Sequence, residues 1–303
     1  MFPLKNKNPT APRRERITRM ERHERFTTSF FLLPSYIGVA LFYVAPFLLV
    51  FYYALTDNGG DFCGFENFTA LFQNYAFRNA AKNTAVFSAI AVPLAVLVPL
   101  LLALLLMQKL PFKSIFRTVL ISPLMVPVAS VVLVWEVLFH NNGVVNQLLE
   151  ALGGAGIDWF KSDWNQVTIV LLYLWKNIGY NMILFMAALG GIPKGSLEAA
   201  ALDGASSART FFAIKLPYLS STILFVTILS IINSFKVFRE VYLLTGAYPY
   251  DSLYMLQHFM NNTFTSLNYQ KLSCAALVMG LVMIALIGIL FWIDGKLGRD
   301  IEE

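Results

Sequence analysis

The polar residues with chemical capacity in this sequence sit inside apolar surroundings. Lys176, Asn177, Tyr180 and Asn181 share one helical face at i, i+4 spacing within the run from Val167 to Leu189. If that run crosses a bilayer, Lys176 lies about 14 Å along it, near the midplane. A charge there costs at least about 2.5 kcal/mol unless it faces a polar interior, so the stripe is expected to point into a helix bundle. Two roles fit. The stripe can wall a path for a polar solute whose hydroxyls need donors and acceptors, or it can join helices by hydrogen bonds, as Asn commonly does in membranes. Trp175, equally deep, is a stacking platform or a packing residue. Further on, Asn233 lies roughly 24 Å along a helix from Pro217, and Lys236, Arg239 and Glu240 follow. Lys236 and Glu240 stand at i, i+4 and can pair with each other.

A second constellation is local. Pro193-Lys194-Gly195-Ser196-Leu197-Glu198-Ala199-Ala200-Ala201-Leu202-Asp203-Gly204-Ala205 predicts a short Ala- and Leu-rich helix stopped by Gly204. A second helical stretch from Ser206 leads through Ile214-Lys215-Leu216-Pro217 into the next apolar run. A rigid helix–turn–helix of this kind can dock in a partner's cleft and pass movement to the helices fused to it.

The elements that position these residues are membrane helices. The 303-residue chain is 57% hydrophobic and 14% charged, and a soluble domain carries roughly a quarter charged residues. Mean hydropathy is +0.61. Six apolar blocks reach the roughly 20 residues a span needs: Phe30 to Ala54, Thr84 to Met107, Phe116 to Phe139, Val167 to Leu189, Tyr218 to Phe238 and Ser273 to Ile293. Pro34, Pro46, Pro93, Pro99, Pro123 and Pro127 fall within the first three. They are read as kinks, because neighbouring groups in a bundle can satisfy the carbonyls that proline frees. A short helix is expected near Val145 to Leu152. Trp135, Trp159, Trp164 and Tyr248 are read as interfacial anchors.

Charge sets the orientation. The basic lead of Arg13, Arg14, Arg16, Arg19, Arg22 and Arg25 precedes the first span. With that lead inside, Lys109, Lys113, Arg117, Lys194, Arg209, Lys215, Lys296 and Arg299 are inside too, so both termini and the 193–217 turn are expected in the cytoplasm. Such a lead fits retention and anionic lipid better than nucleic acid.

Several chemistries find no support. Cys63 and Cys274 offer neither metal spacing nor a disulfide framework, and His23, His140 and His258 are scattered. The sequence holds no Gly-x-x-x-x-Gly-Lys-Ser/Thr phosphate loop, so ATP hydrolysis is not expected in this chain. Hydrolase motifs are missing as well. An ion-coupled secondary transporter remains the alternative, although it would want a titratable group in the membrane. Glu136, near the outer end of its span, is the one carboxylate within the six blocks.

Glu198-Ala199-Ala200, then Gly204, then Ile214-x-Leu216-Pro217 resembles the EAA loop of permeases from binding-protein-dependent ABC importers. The resemblance runs from about Phe30 to Ile293 and points to the maltose and glycerol-3-phosphate type. Pro34, Pro46, Thr56-Asp57, Gly64-Phe65-Glu66-Asn67-Phe68 and Asn83-Thr84 are similar to that group. So are Phe116-Arg117-Thr118, Trp135, Gly143 with Asn146, Trp175-Lys176, Ile192-Pro193-Lys194 and Phe238 with Tyr242 to Gly246. Arg239 departs from it, since an acid commonly stands there, and Gly246-Ala247-Tyr248-Pro249 replaces the usual Gly-Gly-Pro.

The resemblance implies an all-α, polytopic type I ABC importer permease with about six transmembrane helices. It implies a basic N-terminal segment at 1–28, a membrane domain at 29–294 holding the coupling loop at 193–217, and a tail at 295–303. Glu198, Ala199, Ala200, Asp203, Gly204, Ile214, Leu216 and Pro217 would form the ATPase-coupling loop. Trp175, Lys176, Asn177, Tyr180, Asn181, Asn233, Lys236 and Arg239 are the candidates for the substrate path. The implied partners are a second homologous permease, two ATPase subunits holding ATP and Mg, an extracytoplasmic solute-binding protein and a carbohydrate substrate, with no cofactor in this chain. The implied location is the bacterial cytoplasmic membrane.

Overall fold

The computed structural model describes residues 28, 31–108 and 110–297. Nearly all of the basic N-terminal segment, Lys109 and most of the C-terminal tail lie outside the described residues. The regular elements among the described residues are helical, apart from one bridge between Thr56 and Phe62. Among the described residues, six helices are long and apolar enough to cross a membrane. The chain divides into two units at Tyr52/Tyr53. Most of α1 (Phe31–Leu55) forms the first unit, with a π turn at Ala40–Val44 just ahead of Pro46.

The second unit continues with α2 (Glu66–Gln73) and α3 (Tyr75–Leu106). The α3 helix begins ahead of the expected Thr84 because Asn74 caps it, its Oδ1 accepting from the Phe77 N–H at 3.2 Å. The third expected span, Phe116 to Phe139, is not one kinked helix. It breaks into α4 (Lys113–Met125) and α5 (Val128–Phe139). Val126 precedes Pro127 and takes the extended conformation, ψ 133°, that a pre-proline residue favours, so the α hydrogen bonds cannot run through. Pro123, by contrast, stays inside α4. The Val119 carbonyl left without a donor by its missing N–H accepts from Ser122 Oγ at 2.9 Å.

A short helix α6 (Val144–Ala151) leads to α7 (Asn165–Gly190), the centre of the packing. Its buried Ile169, Tyr173, Met182 and Phe185 pack on α3 residues such as Phe87, Ala91 and Leu100, and its Leu172 packs on Val131 and Trp135 of α5. Gly179 lets α4 approach closely, because a Cβ there would fall 2.0 Å from the main-chain oxygen of Leu120. Beyond α7 come α8 (Lys194–Leu202), a helical turn at Ser207–Thr210, a π turn at Phe211–Lys215, α9 (Leu216–Lys236) and α10 (Phe238–Thr245). From Ser207 to Thr245 these form one continuous candidate span. The described residues end with α11 (Leu256–Thr265), not expected from the sequence, and α12 (Tyr269–Leu297).

Tryptophan placement also differs from the expectation. Trp135 is buried, donating from Nε1 to the Thr168 carbonyl at 3.3 Å, and its ring lies beside Phe139 and Trp175. Trp159 donates to Asn146 Oδ1 at 2.8 Å. Asn146 is buried and also donates to the Asn141 and Ile157 carbonyls, which ties the loop after α6 to the end of α5. These two tryptophans are therefore packing residues; Trp164 is the exposed one.

Candidate functional site

Midway along α7, Lys176 and Asn177 face the end of α9 and the start of α10 across a cavity of about 230 Å³. Asn233, Lys236, Arg239 and Glu240 complete its polar lining, with Leu124, Leu172 and Val237 as apolar wall. The amides form a chain. Asn233 Nδ2 donates to Asn177 Oδ1 at 3.2 Å, and Asn177 Nδ2 donates to the Tyr173 carbonyl at 2.8 Å. Tyr173, also at the cavity, in turn donates its hydroxyl to the Ser230 carbonyl at 2.7 Å, fixing α7 to α9.

The charges pair differently from the sequence expectation. Lys236 and Glu240 stand at i, i+4, yet it is Lys176 Nζ that donates to Glu240 Oε1, across from α7 to α10. Val237, between α9 and α10, keeps helical dihedrals of φ −61° and ψ −16°, and beyond it Glu240 is only 6% exposed, whereas Lys236 lines the cavity as an exposed side chain. Glu240 is thus a buried carboxylate within the fifth candidate span, which ends at Thr245 instead of Phe238. Glu136 is therefore not the one carboxylate within a candidate span. The sequence signal for Glu240 was there, but proximity along the chain assigned it the wrong partner. Its Oε2 is buried with no hydrogen-bond partner among the described residues.

Of the eight path candidates, Lys176, Asn177, Asn233, Lys236 and Arg239 meet at this cavity, and Trp175, Tyr180 and Asn181 do not. Trp175 lies beside Trp135, ring centroids 5.7 Å apart. Tyr180 is exposed and does not line the cavity. Asn181 is buried, its Nδ2 donating to the Ala95 carbonyl at 2.8 Å and to Ser230 Oγ at 3.2 Å. The stripe read from i, i+4 spacing therefore divides, its upper part facing the cavity and Asn181 joining three helices.

The second constellation forms as a compact turn. At the end of α8, Gly204 adopts φ +70°. The Ala205 N–H donates to the Ala200 carbonyl at 2.9 Å and the Gly204 N–H to the Ala201 carbonyl at 3.2 Å, a Schellman closure that glycine accommodates. Glu198, Ala199 and Asp203 are exposed on this helix while Ala200 is buried. Ser206 Oγ accepts from the Arg209 N–H at 3.3 Å and starts the next turn. Ile214, Leu216 and Pro217 are half-buried where the π turn enters α9, and Pro217, which has no N–H to donate, stands just after that turn. Leu202, 89% exposed, and Phe212 present apolar surface here, beside a groove lined by Met107, Leu189, Leu197, Phe211 and Lys215.

Residues 95–303 match the family model described as binding-protein-dependent transport system inner membrane component. The chain belongs to this family. It is therefore a permease subunit of an ABC importer, a transport chain and not an enzyme, which sets aside the ion-coupled alternative. The permease is 33% identical to the sulfoquinovosyl glycerol transport system permease protein of Agrobacterium fabrum, over 84% of this chain and 86% of that one. It is 30% identical to the sn-glycerol-3-phosphate transport system permease protein of Yersinia enterocolitica, over 88% of each. In fold it resembles a chain of a bacterial ABC transporter involved in import of the acidic polysaccharide alginate, with TM-score 0.80 at 20% identity, covering 91% of this chain and 98% of that one. A membrane-embedded, all-helical permease is what family, fold and apolar helices jointly describe.

Proposed function

We propose that the permease is one of two homologous membrane subunits of an importer that carries a carbohydrate, an oligosaccharide or related polyol solute, across the bacterial cytoplasmic membrane by alternating access. Of the two ATPase subunits, which hold ATP and Mg, one seats on the α8 turn and the other on the second permease. An extracytoplasmic solute-binding protein delivers the substrate to the opposite side. Both termini and the 193–217 turn are cytoplasmic.

One observation carries this reading. The continuous span Ser207–Thr245 has the docking turn at its start and Asn233, Lys236, Arg239 and Glu240 at its end. The α7 helix runs in parallel service, with Lys176 and Asn177 at the cavity and α8 directly after its end. Lys176 and Pro193 are about 25 Å apart along such a helix. A push on the turn therefore reaches both walls of the cavity through rigid helices, which is what coupling ATP hydrolysis to alternating exposure requires. The names of the relatives, transporters of sulfoquinovosyl glycerol and glycerol-3-phosphate, support a polyhydroxylated solute.

The test is ATP-driven uptake by the assembled importer in proteoliposomes. Gly204→Val is expected to retain subunit assembly and lose most uptake, because a β-branched residue resists φ +70° and the turn must rearrange. Uptake at the wild-type rate with Gly204→Val would contradict a coupling role for the turn. Ser196→Cys, in a background lacking Cys63 and Cys274, should react with an impermeant thiol reagent only after cells are permeabilised.

A further inference from the structure

Around the cavity stand three cations, Lys176, Lys236 and Arg239, and one acid, Glu240. The ion pair consumes one of each. No carboxylate lies within 4 Å of Lys236 or Arg239 among the described residues, so the lining keeps two uncompensated positive charges. They sit at the end of α9 and the start of α10, one turn apart on the same wall. Both side chains are exposed where they line the cavity, and no carboxylate of the described residues neutralises them, so an anion held between them gains two charge-assisted partners. Arg239 brings a planar fork of donors that matches two oxygens of a carboxylate, phosphate or sulfonate, and Lys236 adds a mobile point charge.

The rest of the lining suits hydroxyl groups. Glu240 Oε2 is buried and lacks a donor, which a sugar O–H can supply. The Asn177 and Asn233 amides, already linked to each other, keep capacity to accept and donate further. Acceptor, amides and free cations line the same cavity.

We infer that the permease is selective for an acidic carbohydrate, a sugar bearing a carboxylate, phosphate or sulfonate, whose anionic group is met by Lys236 and Arg239 while a hydroxyl donates to Glu240. This rests on the carbohydrate-importer reading and narrows it to a substrate class.

The experiment uses the complete importer with its cognate binding protein in proteoliposomes and matched probes: glucuronosyl glycerol against glucosyl glycerol, and digalacturonate against its neutral digalactose counterpart. ATP-dependent uptake of the acidic member of at least one pair is expected. Lys236→Gln and Arg239→Gln should each lower its uptake about tenfold, the scale of one lost charge-assisted hydrogen bond, and Lys236→Arg should largely restore it. Uptake of neutral probes alone overturns the acidic class and leaves the importer reading standing. Equal losses for acidic and neutral probes, or loss of the second permease from the purified variants, overturn it as well, since the cations would then be pairing with a carboxylate of that subunit. Failure to take up any carbohydrate, acidic or neutral, with ATPase activity intact, removes the broader reading along with this one.

Discussion

Asn181 holds the main-chain oxygen of Ala95 with its side-chain amide at 2.8 Å, and that oxygen is the one Pro99 leaves without a helical donor. In an α-helix the N–H of residue 99 would bond the carbonyl of residue 95, but proline has no N–H. In apolar surroundings the orphaned carbonyl must find a partner, and α7 provides it. The proline of one helix and the asparagine of another are thus a single structural device.

That device predicts a coupled energetic response. Asn181→Ala should lower the thermal stability of the purified complex by about 0.5–2 kcal/mol, with turnover per assembled complex unchanged. In a Pro99→Ala background the helix supplies its own donor, so the same Asn181→Ala change should cost much less. A double-mutant cycle on melting temperature reads the difference directly, and additive costs would dissolve the link.

The Lys176–Glu240 pair predicts a second non-additive pattern. Lys176→Met strands a buried carboxylate and should destabilise the complex by about 3 kcal/mol or more, and Glu240→Met should do the same with a stranded ammonium. The double variant Lys176→Met/Glu240→Met leaves no unpaired charge and should recover most of that stability. Detergent-solubilised complex followed by thermal unfolding distinguishes this from two independent losses.

Gly179 is a spacing residue. Its contact partner is the Leu120 backbone, which cannot swing aside as a side chain could. Gly179→Ala should therefore push α4 off α7 and cost about 1–3 kcal/mol, with reduced yield of assembled complex. Gly280, where nothing lies within 4 Å of an added Cβ, supplies the control, since Gly280→Ala should leave yield unchanged or slightly raised.

His258 on α11, outside the six candidate spans, gives a pH dependence. Its ring packs among Phe238, Tyr242 and Tyr254, and Nδ1 accepts from the Met255 N–H at 3.4 Å. Burial pushes its pKa from 6.5 down to about 4. Above pH 6.5 the ring is neutral folded or unfolded and contributes no pH dependence. Between about 6.5 and 4 the unfolded chain takes up a proton that the folded chain refuses, so stability should fall as pH falls through that window. Melting temperature across pH 4 to 7 should show the decline, and His258→Gln, which keeps an acceptor without a titrating ring, should flatten it. An unchanged slope in the variant would assign the decline to other groups.

The sequence by itself carried whatever depends on neighbours along the chain. Six apolar blocks long enough for the bilayer, the helix stopped at Gly204 and the entry into α9 at Pro217 are all local consequences of hydropathy and backbone preference. The gapped Glu198-to-Pro217 pattern carried the family for the same reason, since its spacing is read within one turn. Pairings between distant helices were beyond it. Spacing put Lys236 with Glu240, but the packing that buries Glu240 brings Lys176 of α7 to its carboxylate instead. Spacing likewise put Asn181 with Asn177 on one stripe, but only the tertiary structure sets which neighbour each meets, an open cavity for one and the carbonyl freed by Pro99 for the other. A buried polar side chain takes the partner that desolvation leaves within reach, and which groups are within reach is fixed by how the helices cross.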